Sequence, residues 1–546
     1  MKRNILRAAA FIAAVTLSAG ILGGCGEEQQ TQGNSAFVTT DEYPVKTDEE
    51  VTLRWWMNLP AQVTAYGASM NDTEFHSFLE QATGLKISFE HPVSGQEEAA
   101  FNILQASDDM PDIIEYGWST YSGGPQKAID DKVIIPLNEY FANVSPNMKK
   151  FISENEELAK QVVTDDGNYY QYPFIRNDDR LSSFMTYIIR KDLLDKAGME
   201  IPETLDEWET VLYKFKEMGV KTPISLRLAS YYQQQFSPFL GCFGIAGTFY
   251  HDENNKVKFG PYEPEYEEWV TLMNKWFTDG VLDQEFTSGD SKRLGSIVTN
   301  GEIGAIYCTI GGEFGNWLSS IKEDSGIKYV ATKLPTPVKG TNVMYAQKDF
   351  RIKDGAAISY TSKYKEYAAR LLDFAYSEEG QTLYNFGKEG VSYTMQENAE
   401  GKVIPTYTDT VMDNSKNGGL TIAQALSKYS RGYSIGPYIQ NYEYLNQYYQ
   451  RQEQKDALEL MDSDTLDYKL PILYFQGDEM QRYNDIMTPI DTYREETIAK
   501  IIAGKMPLSE MSTYYAQLKA LGIEEAIEIQ QKAYDRYLAK NLPSLD

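Results

Sequence analysis

Phenol and indole faces are the chemical surface this sequence has in excess. It carries 40 Tyr, 23 Phe and 7 Trp against 3 His and 3 Cys, so groups that stack and hydrogen-bond far outnumber groups that ligate metals or attack carbonyls. His76, His91 and His251 stand apart with no second ligand at metal spacing, and neither a nucleophile elbow nor a phosphate-cradling glycine loop occurs. Asp165-Asp166-Gly167-Asn168 opens like a calcium loop but lacks the further acidic ligands of an EF-hand, and it reads as a hairpin turn. Seven tyrosines fall between Tyr429 and Tyr449, interleaved with Arg431, Gln440 and Asn441. They read equally as a packed helix with half-buried rings or as an exposed aromatic wall that includes Tyr433.

The elements that must place these groups are strands alternating with helices. Residues 51–57 form a β-rich run, and 72–83 place Phe75, Phe78 and Leu79 at helical spacing, closed by Gly84. Residues 85–91 alternate as a second strand, 97–107 continue as a helix, and 112–116 form a third strand. That order predicts a parallel sheet covered on both faces, in which ligands lie beyond the carboxyl ends of the strands. The candidates on topology are therefore the segments Trp55 to Asn58 after the first strand and Tyr116 to Ser119 after the third, with Trp56, Asn58, Tyr116 and Trp118 as the site residues they offer. Trp55 and Trp56 alternate faces in an extended chain, so one faces ligand while the other is core. Further on, 184–190 read as a strand, and Thr204 with Glu207 has capping-box spacing before a helix carrying Trp208, Leu212 and Phe215. Residues 300–312 read as a small-residue strand with a glycine turn, followed by a helix containing Trp317. Three helical patterns, 486–502, 508–521 and 523–538, close the chain.

The first segment is an address. Lys2, Arg3 and Arg7 precede an apolar stretch, 8–22, too short to span a bilayer comfortably, and Leu22-Gly23-Gly24-Cys25 resembles the lipobox of bacterial lipoproteins. Residues 1–24 then form a removed lipoprotein signal, and Cys25 carries an acyl anchor of the palmitate kind at the extracytoplasmic face of the cell membrane. Residues 25–50 are polar and are expected to form a flexible tether. Loss of the signal removes three basic and no acidic residues, leaving 48 Lys and Arg against 79 Asp and Glu, a net charge of -31. Such a field opposes nucleic-acid binding. Cys242 and Cys308 read as free buried thiols.

The order of several stretches resembles extracellular solute-binding protein family 1, the carbohydrate-capturing lipoproteins of ABC importers. They are Met110-Pro-Asp-Ile-Ile114, Ile188-Ile-Arg-Lys-Asp-Leu-Leu194, Pro202-Glu-Thr-Leu-Asp-Glu-Trp208, Gly301-Glu-Ile-Gly-Ala305, Lys333-Leu-Pro335 and Phe374-Ala-Tyr-Ser-Glu-Glu-Gly380. Gly387-Lys-Glu-Gly-Val-Ser-Tyr-Thr394 and residues 518–536 resemble the larger aldouronate and complex-oligosaccharide members. The resemblance implies an α/β, two-lobed periplasmic-binding-protein-like fold of type II, its lobes joined by a hinge with multiple chain crossovers. Carried onto this chain, lobe one holds 51–172 and 328–377, and lobe two 173–327 and 378–546.

It implies a monomeric substrate-binding protein that uses no cofactor, metal or catalytic residue, captures oligosaccharide between its lobes and delivers it to separate ABC permease subunits. Aromatic faces would stack on sugar C–H faces, and planar polar groups would bind hydroxyls. Trp118 matches a ligand loop of the family, so Trp118→Ala should weaken ligand without unfolding the protein. Tyr231 and Tyr232 lie where relatives place a stacking aromatic, and residues 311–317 lie in the position of a ligand-contacting loop, with Glu313 read as a hydroxyl acceptor and Phe314 or Trp317 as a stacking face, or else as a solvated carboxylate and a helix-packing aromatic. Arg176 reads as a donor to hydroxyls or a uronate, or as a surface salt bridge. Two alternatives stay open: a binder of peptides or another small solute, and a secreted glycoside hydrolase drawing a carboxylate pair from the 79 acidic residues.

Overall fold

The computed structural model describes residues 42–47, 50–107, 109–226, 239–344, 349–432, 434–461, 465–466 and 468–546. Ten strands make its two larger sheets. In chain order they are β1 (Thr52–Trp56), β2 (Lys86–Glu90), β3 (Ile113–Glu115), β4 (Tyr172–Arg176), β5 (Met185–Arg190), β6 (Thr222–Ser225), β7 (Ile303–Thr309), β8 (Tyr329–Thr332), β9 (Ile352–Ile358) and β10 (Ile439–Gln440). The first sheet has the order β10-β4-β9-β3-β1-β2 and the second β8-β5-β7-β6. β1 pairs parallel with both β2 and β3, while β9 enters antiparallel between β3 and β4. The α/β alternation over residues 50–116 thus builds the parallel sheet it predicts.

Local signals act where expected. Thr73 caps the helix Glu74–Thr83 and Gly84 ends it at φ 74, a left-handed conformation that glycine adopts freely. Thr204 and Glu207 form the reciprocal capping box of the helix Leu205–Glu217. The fully buried β5 and the small-residue β7 form the centre of the second sheet. Gly304 in β7 is required by contact: a Cβ there would stand 2.6 Å from the Pro223 carbonyl and 2.5 Å from the Phe215 ring. The closing helices, Glu479–Ile502, Met511–Leu521 and Ile523–Ala539, join the core of this second sheet around Tyr187, Trp208 and Trp276.

Strand pairing moves the expected lobe boundaries. β4, whose residues 173–176 were assigned to lobe two, is an inner strand of the first sheet, whereas β8, assigned to lobe one, pairs with β5 in the second. Residues 378–440 were also assigned to lobe two, yet the helix Glu378–Phe386 packs on Glu74–Thr83 and β10 pairs with Ile175 and Arg176. The chain therefore changes sheets between β4 and β5, between β8 and β9, and again after β10. Short β-prone runs carry no local mark of the sheet they join, because long-range pairing decides it.

The tether is also shorter than expected. Tyr43 donates its hydroxyl proton to the Arg370 carbonyl at 2.7 Å and sets its ring edge-on to Phe374, while Val45 N–H bonds to the Thr83 carbonyl at 2.7 Å. Arg370 in turn donates to the Glu42 carbonyl. Two apolar side chains in a polar stretch are enough to dock residues 42–45, which composition averaged over 25–50 conceals. Cys25 and the signal lie outside the described residues. No helix among the described residues is long and apolar enough to cross a membrane.

Candidate functional site

The ends of β1 and β3 arrive together because the strands are parallel and in register, Trp56 opposite Ile114. Just beyond β3, the Tyr116 ring stacks on Phe101 at 3.7 Å and 12°, with Trp56 6.5 Å and Trp118 5.6 Å from Tyr116. Sequence reasoning thus named three members of one aromatic cluster. They are not equally available: Tyr116 is half-buried and Asn58 exposed, but Trp56 and Trp118 are buried. Trp118 is core, its indole N–H donating to the Ile114 carbonyl at 3.2 Å.

Beneath this edge lies a charge pair to which the sequence reading gave no role. The Arg431 guanidinium, fully buried, makes a bidentate pair with Glu115 at 2.7 and 3.1 Å, donates to the Ile435 carbonyl at 2.8 Å, and lies 3.7 Å from the Met57 sulfur. Burial alone would lower its pKa, but the Glu115 charge and hydrogen bonds hold it above the ordinary arginine value. The available signal was a lone Arg in a tyrosine-rich stretch and a Glu ending an apolar strand. His91 holds the other side. Its Nδ1 lies 2.8 Å from the Met57 carbonyl, which can only accept, so Nδ1 carries the proton and Nε2 accepts from Met70 N–H at 3.1 Å. Only neutral imidazole satisfies both, and burial pushes the His91 pKa down.

A cavity of about 340 Å³ adjoins the turn after β3, lined by Ser119, Thr120, Asp349, Phe350, Lys469 and Tyr483 among others. The Lys469 ammonium sits 3.4 Å from the centre of the Phe350 ring. Its walls combine the strand-end edge of the first sheet with helix residues from the second core.

The remaining candidates are committed elsewhere. Arg176 pairs with Asp349 at 3.0 Å and donates to the Phe350 carbonyl, so it fastens β4 to the start of β9 and is partnered within the protein. Glu313 and Thr309 cap each other: Thr309 N–H donates to the carboxylate at 3.0 Å, and Glu313 N–H to the hydroxyl at 3.0 Å. Phe314 and Trp317 are buried with Ile188, Leu294 and Cys308, packing as core rather than as open stacking faces. Within the tyrosine-rich segment, Tyr429, Tyr438, Tyr444 and Tyr449 are buried and Tyr442 and Tyr448 half-buried, which favours the packed reading for this part. Tyr231, Tyr232 and Tyr433 lie outside the described residues.

The model of the bacterial extracellular solute-binding protein family matches residues 60–382, more than half of the chain. The chain belongs to that family. This solute-binding protein is 23% identical over 557 residues to the fructooligosaccharide ABC transporter substrate-binding protein FusA of Streptococcus pneumoniae, covering 96% of this chain and 97% of FusA. It is 25% identical to Lipoprotein LipO of Bacillus subtilis over 58% of this chain and 64% of LipO. Its fold is the two-lobed α/β fold of solved relatives. FusA in complex with kestose superposes over 90% of this chain and 100% of that one at TM-score 0.67 and 21% identity. An HMO-binding solute-binding protein from Bifidobacterium longum infantis covers 90% and 99% at TM-score 0.71 and 18% identity.

The solute-binding protein's Asp165 turn is a hairpin, Thr164 N–H bonding to the Asn168 carbonyl, and its carboxylate is taken by Arg536 at 2.7 Å and Lys540 at 3.2 Å. Cys242 and Cys308 form no disulfide; burial pushes the Cys242 thiol up to about 12, far from a reactive thiolate.

Two outcomes follow from this geometry. Trp118→Ala removes a fully buried ring, so it should lower unfolding free energy by about 3–5 kcal/mol in a denaturant titration; a loss under 1 kcal/mol would place the ring outside the core. This replaces the expectation that the substitution spares the fold. Second, because the folded His91 pKa is depressed, its share of stability is present above the unfolded value near 6.5 and is lost as pH falls from there toward the folded value. His91→Gln should flatten this part of the stability profile between about pH 7 and 5.5, and an unaltered slope would exclude His91 as its source.

Proposed function

We propose that this solute-binding protein is the membrane-tethered, oligosaccharide-capturing component of an ABC importer. The observation that carries the sugar reading is the meeting, at one strand-end edge, of the half-buried Tyr116 face, exposed Asn58 and a cavity bordered by Ser119 and Thr120. A flat aromatic face suits the C–H side of a pyranose or furanose ring, and amide and hydroxyl groups suit its polar rim. Similarity to FusA along nearly its whole length supports the same reading. Ligand bridging the lobes favours closure through contacts absent from the open form, and the closed protein docks on permease subunits supplied by other chains. It acts as a monomer and performs no chemistry on the sugar. Cys25 carries the lipid, a reading supported by the lipobox pattern and by similarity to a lipoprotein.

A calorimetric panel of kestose, linear plant-wall oligosaccharides, uronate-bearing oligosaccharides and peptides tests the assignment. Saturable binding by at least one oligosaccharide and none by peptides is expected, with Tyr116→Ala weakening it about tenfold. Binding by peptides alone would overturn the sugar reading, and shortening of any glycan during incubation would overturn the non-enzymatic one. In cells, Cys25→Ser should move the protein from the membrane fraction to the medium or periplasm, while unchanged membrane retention would remove Cys25 as the anchor.

A further inference from the structure

β9 is irregular where it passes the ligand edge. It pairs with β4 as Ile352 to Ile175 and Lys353 to Phe174, then shifts register before Ala356 meets Tyr172. Gly355 makes the shift possible, since a Cβ there would lie 2.1 Å from the Tyr172 carbonyl oxygen. Bulges of this kind re-aim a neighbouring side chain. Here the side chain is Asp354, whose carboxylate accepts the Ser119 backbone N–H at 2.8 Å and the Ser119 hydroxyl at 2.6 Å. Burial raises this carboxyl's pKa, and the two Ser119 bonds oppose the rise.

The turn so held, Trp118–Thr120, is a three-residue 3-10 turn with no side-chain cap of its own, and Ser119 and Thr120 border the cavity. The polar chain continues on the other side of Asp354. Gly355 N–H donates to the Gln171 side-chain Oε1 at 2.9 Å, the Gln171 side-chain Nε2 donates to the Tyr170 hydroxyl at 3.1 Å, and that hydroxyl lies 2.7 Å from the Tyr474 hydroxyl. Tyr474 belongs to the segment whose neighbours Lys469 to Leu473 and Phe475 also line the cavity.

We propose that Asp354 is a positioning and specificity-determining residue for ligand capture: it fixes the turn after β3 and, by accepting the hydrogen bond that the Ser119 hydroxyl donates, leaves the Ser119 oxygen to accept a hydrogen bond from a sugar hydroxyl. The inference rests on the sugar-binding reading for its ligand, but not for its geometry. A serine hydroxyl has one proton and two lone pairs, so the partner that accepts its hydrogen bond decides what the oxygen offers the cavity. Asn in place of Asp354 can donate to that oxygen and free its proton, reversing the polarity Ser119 presents. Because β9 is the strand by which the chain returns from the second sheet, the same contact ties the turn to a crossover.

Two measurements on the full chain decide this. In ligand-free protein, amide exchange at Ser119 should accelerate at least tenfold in Asp354→Asn; unchanged exchange would overturn the positioning role. In calorimetry with kestose, or with the oligosaccharide the panel selects, Asp354→Asn and Ser119→Ala should each weaken binding about tenfold. Their combination should weaken binding by less than the product of the two separate losses, and Ser119→Thr should retain affinity. Additive losses would overturn action through the Ser119 hydroxyl. If Asp354→Asn does not fold, unchanged affinity in Ser119→Ala overturns the proposal by itself. Should no oligosaccharide bind the unsubstituted protein, the sugar reading fails while the exchange measurement still decides the role of Asp354.

Discussion

A full positive charge sealed from water is tolerable only when its partners arrive with it, and Arg431 imposes that condition on the ligand edge. Removing either member of such a pair strands the other at a cost of about 3–5 kcal/mol. Glu115 ends β3, and Met57 follows β1, so satisfying the guanidinium brings the first and third strands and the 431–438 loop to one place. The loop in turn wraps its own arginine: Tyr438 donates to the Arg431 carbonyl at 2.8 Å, and Gly436 leaves no room for a Cβ against the guanidinium, 2.5 Å away. Tyr116, Asn58 and the turn at Ser119 project from the frame this pair completes.

The tyrosine surplus takes a different meaning from the one its abundance suggests. Tyr172 shares a hydrogen bond with Ser145, Tyr376 donates to the Pro173 carbonyl, and Tyr407 donates to the Asn385 carbonyl, all from buried positions. Burial raises the pKa of all three phenols, so they stay neutral and serve as directional core groups. A phenol fills volume as phenylalanine does and also fixes a backbone oxygen, which suits a chain that changes sheets repeatedly and must pin each crossing. Tyr116, half-buried beyond β3, is the ring of the strand-end cluster that keeps accessible surface, while Trp56 and Trp118 beside it are buried.

What was legible in the sequence was local. The cap at Thr204, the stop at Gly84 and the alternation that yields β1, β2 and β3 each depend on residues a few positions apart. The candidate edge followed from them, because parallel topology alone directs attention to Trp56, Asn58, Tyr116 and Trp118. Which of these rings stays open did not follow, since an aromatic side chain suits a core and a sugar face equally, and the choice lies with tertiary packing, in which Phe101 touches Trp56, Tyr116 and Trp118 alike. For the same reason Phe314 and Trp317 were misjudged, and residues 378–440 were placed with the wrong sheet. Asp354 was invisible because its aim comes from a register shift between strands separated by some 180 residues.

The docked segment at Tyr43 sets a leash. Because residues 42–45 are fastened to the helix Lys365–Phe374 and to Thr83, only residues 26–41 lie between that mooring and Cys25, the residue proposed to carry the lipid. Sixteen residues drawn fully taut reach no more than about 55 Å. With the proposed lipid in place, that reach would bound how far the body stands from the bilayer, and such confinement would raise its effective concentration at any importer within reach. Delivery would then become a short-range search, in which a capture site of modest affinity could still keep a transporter supplied.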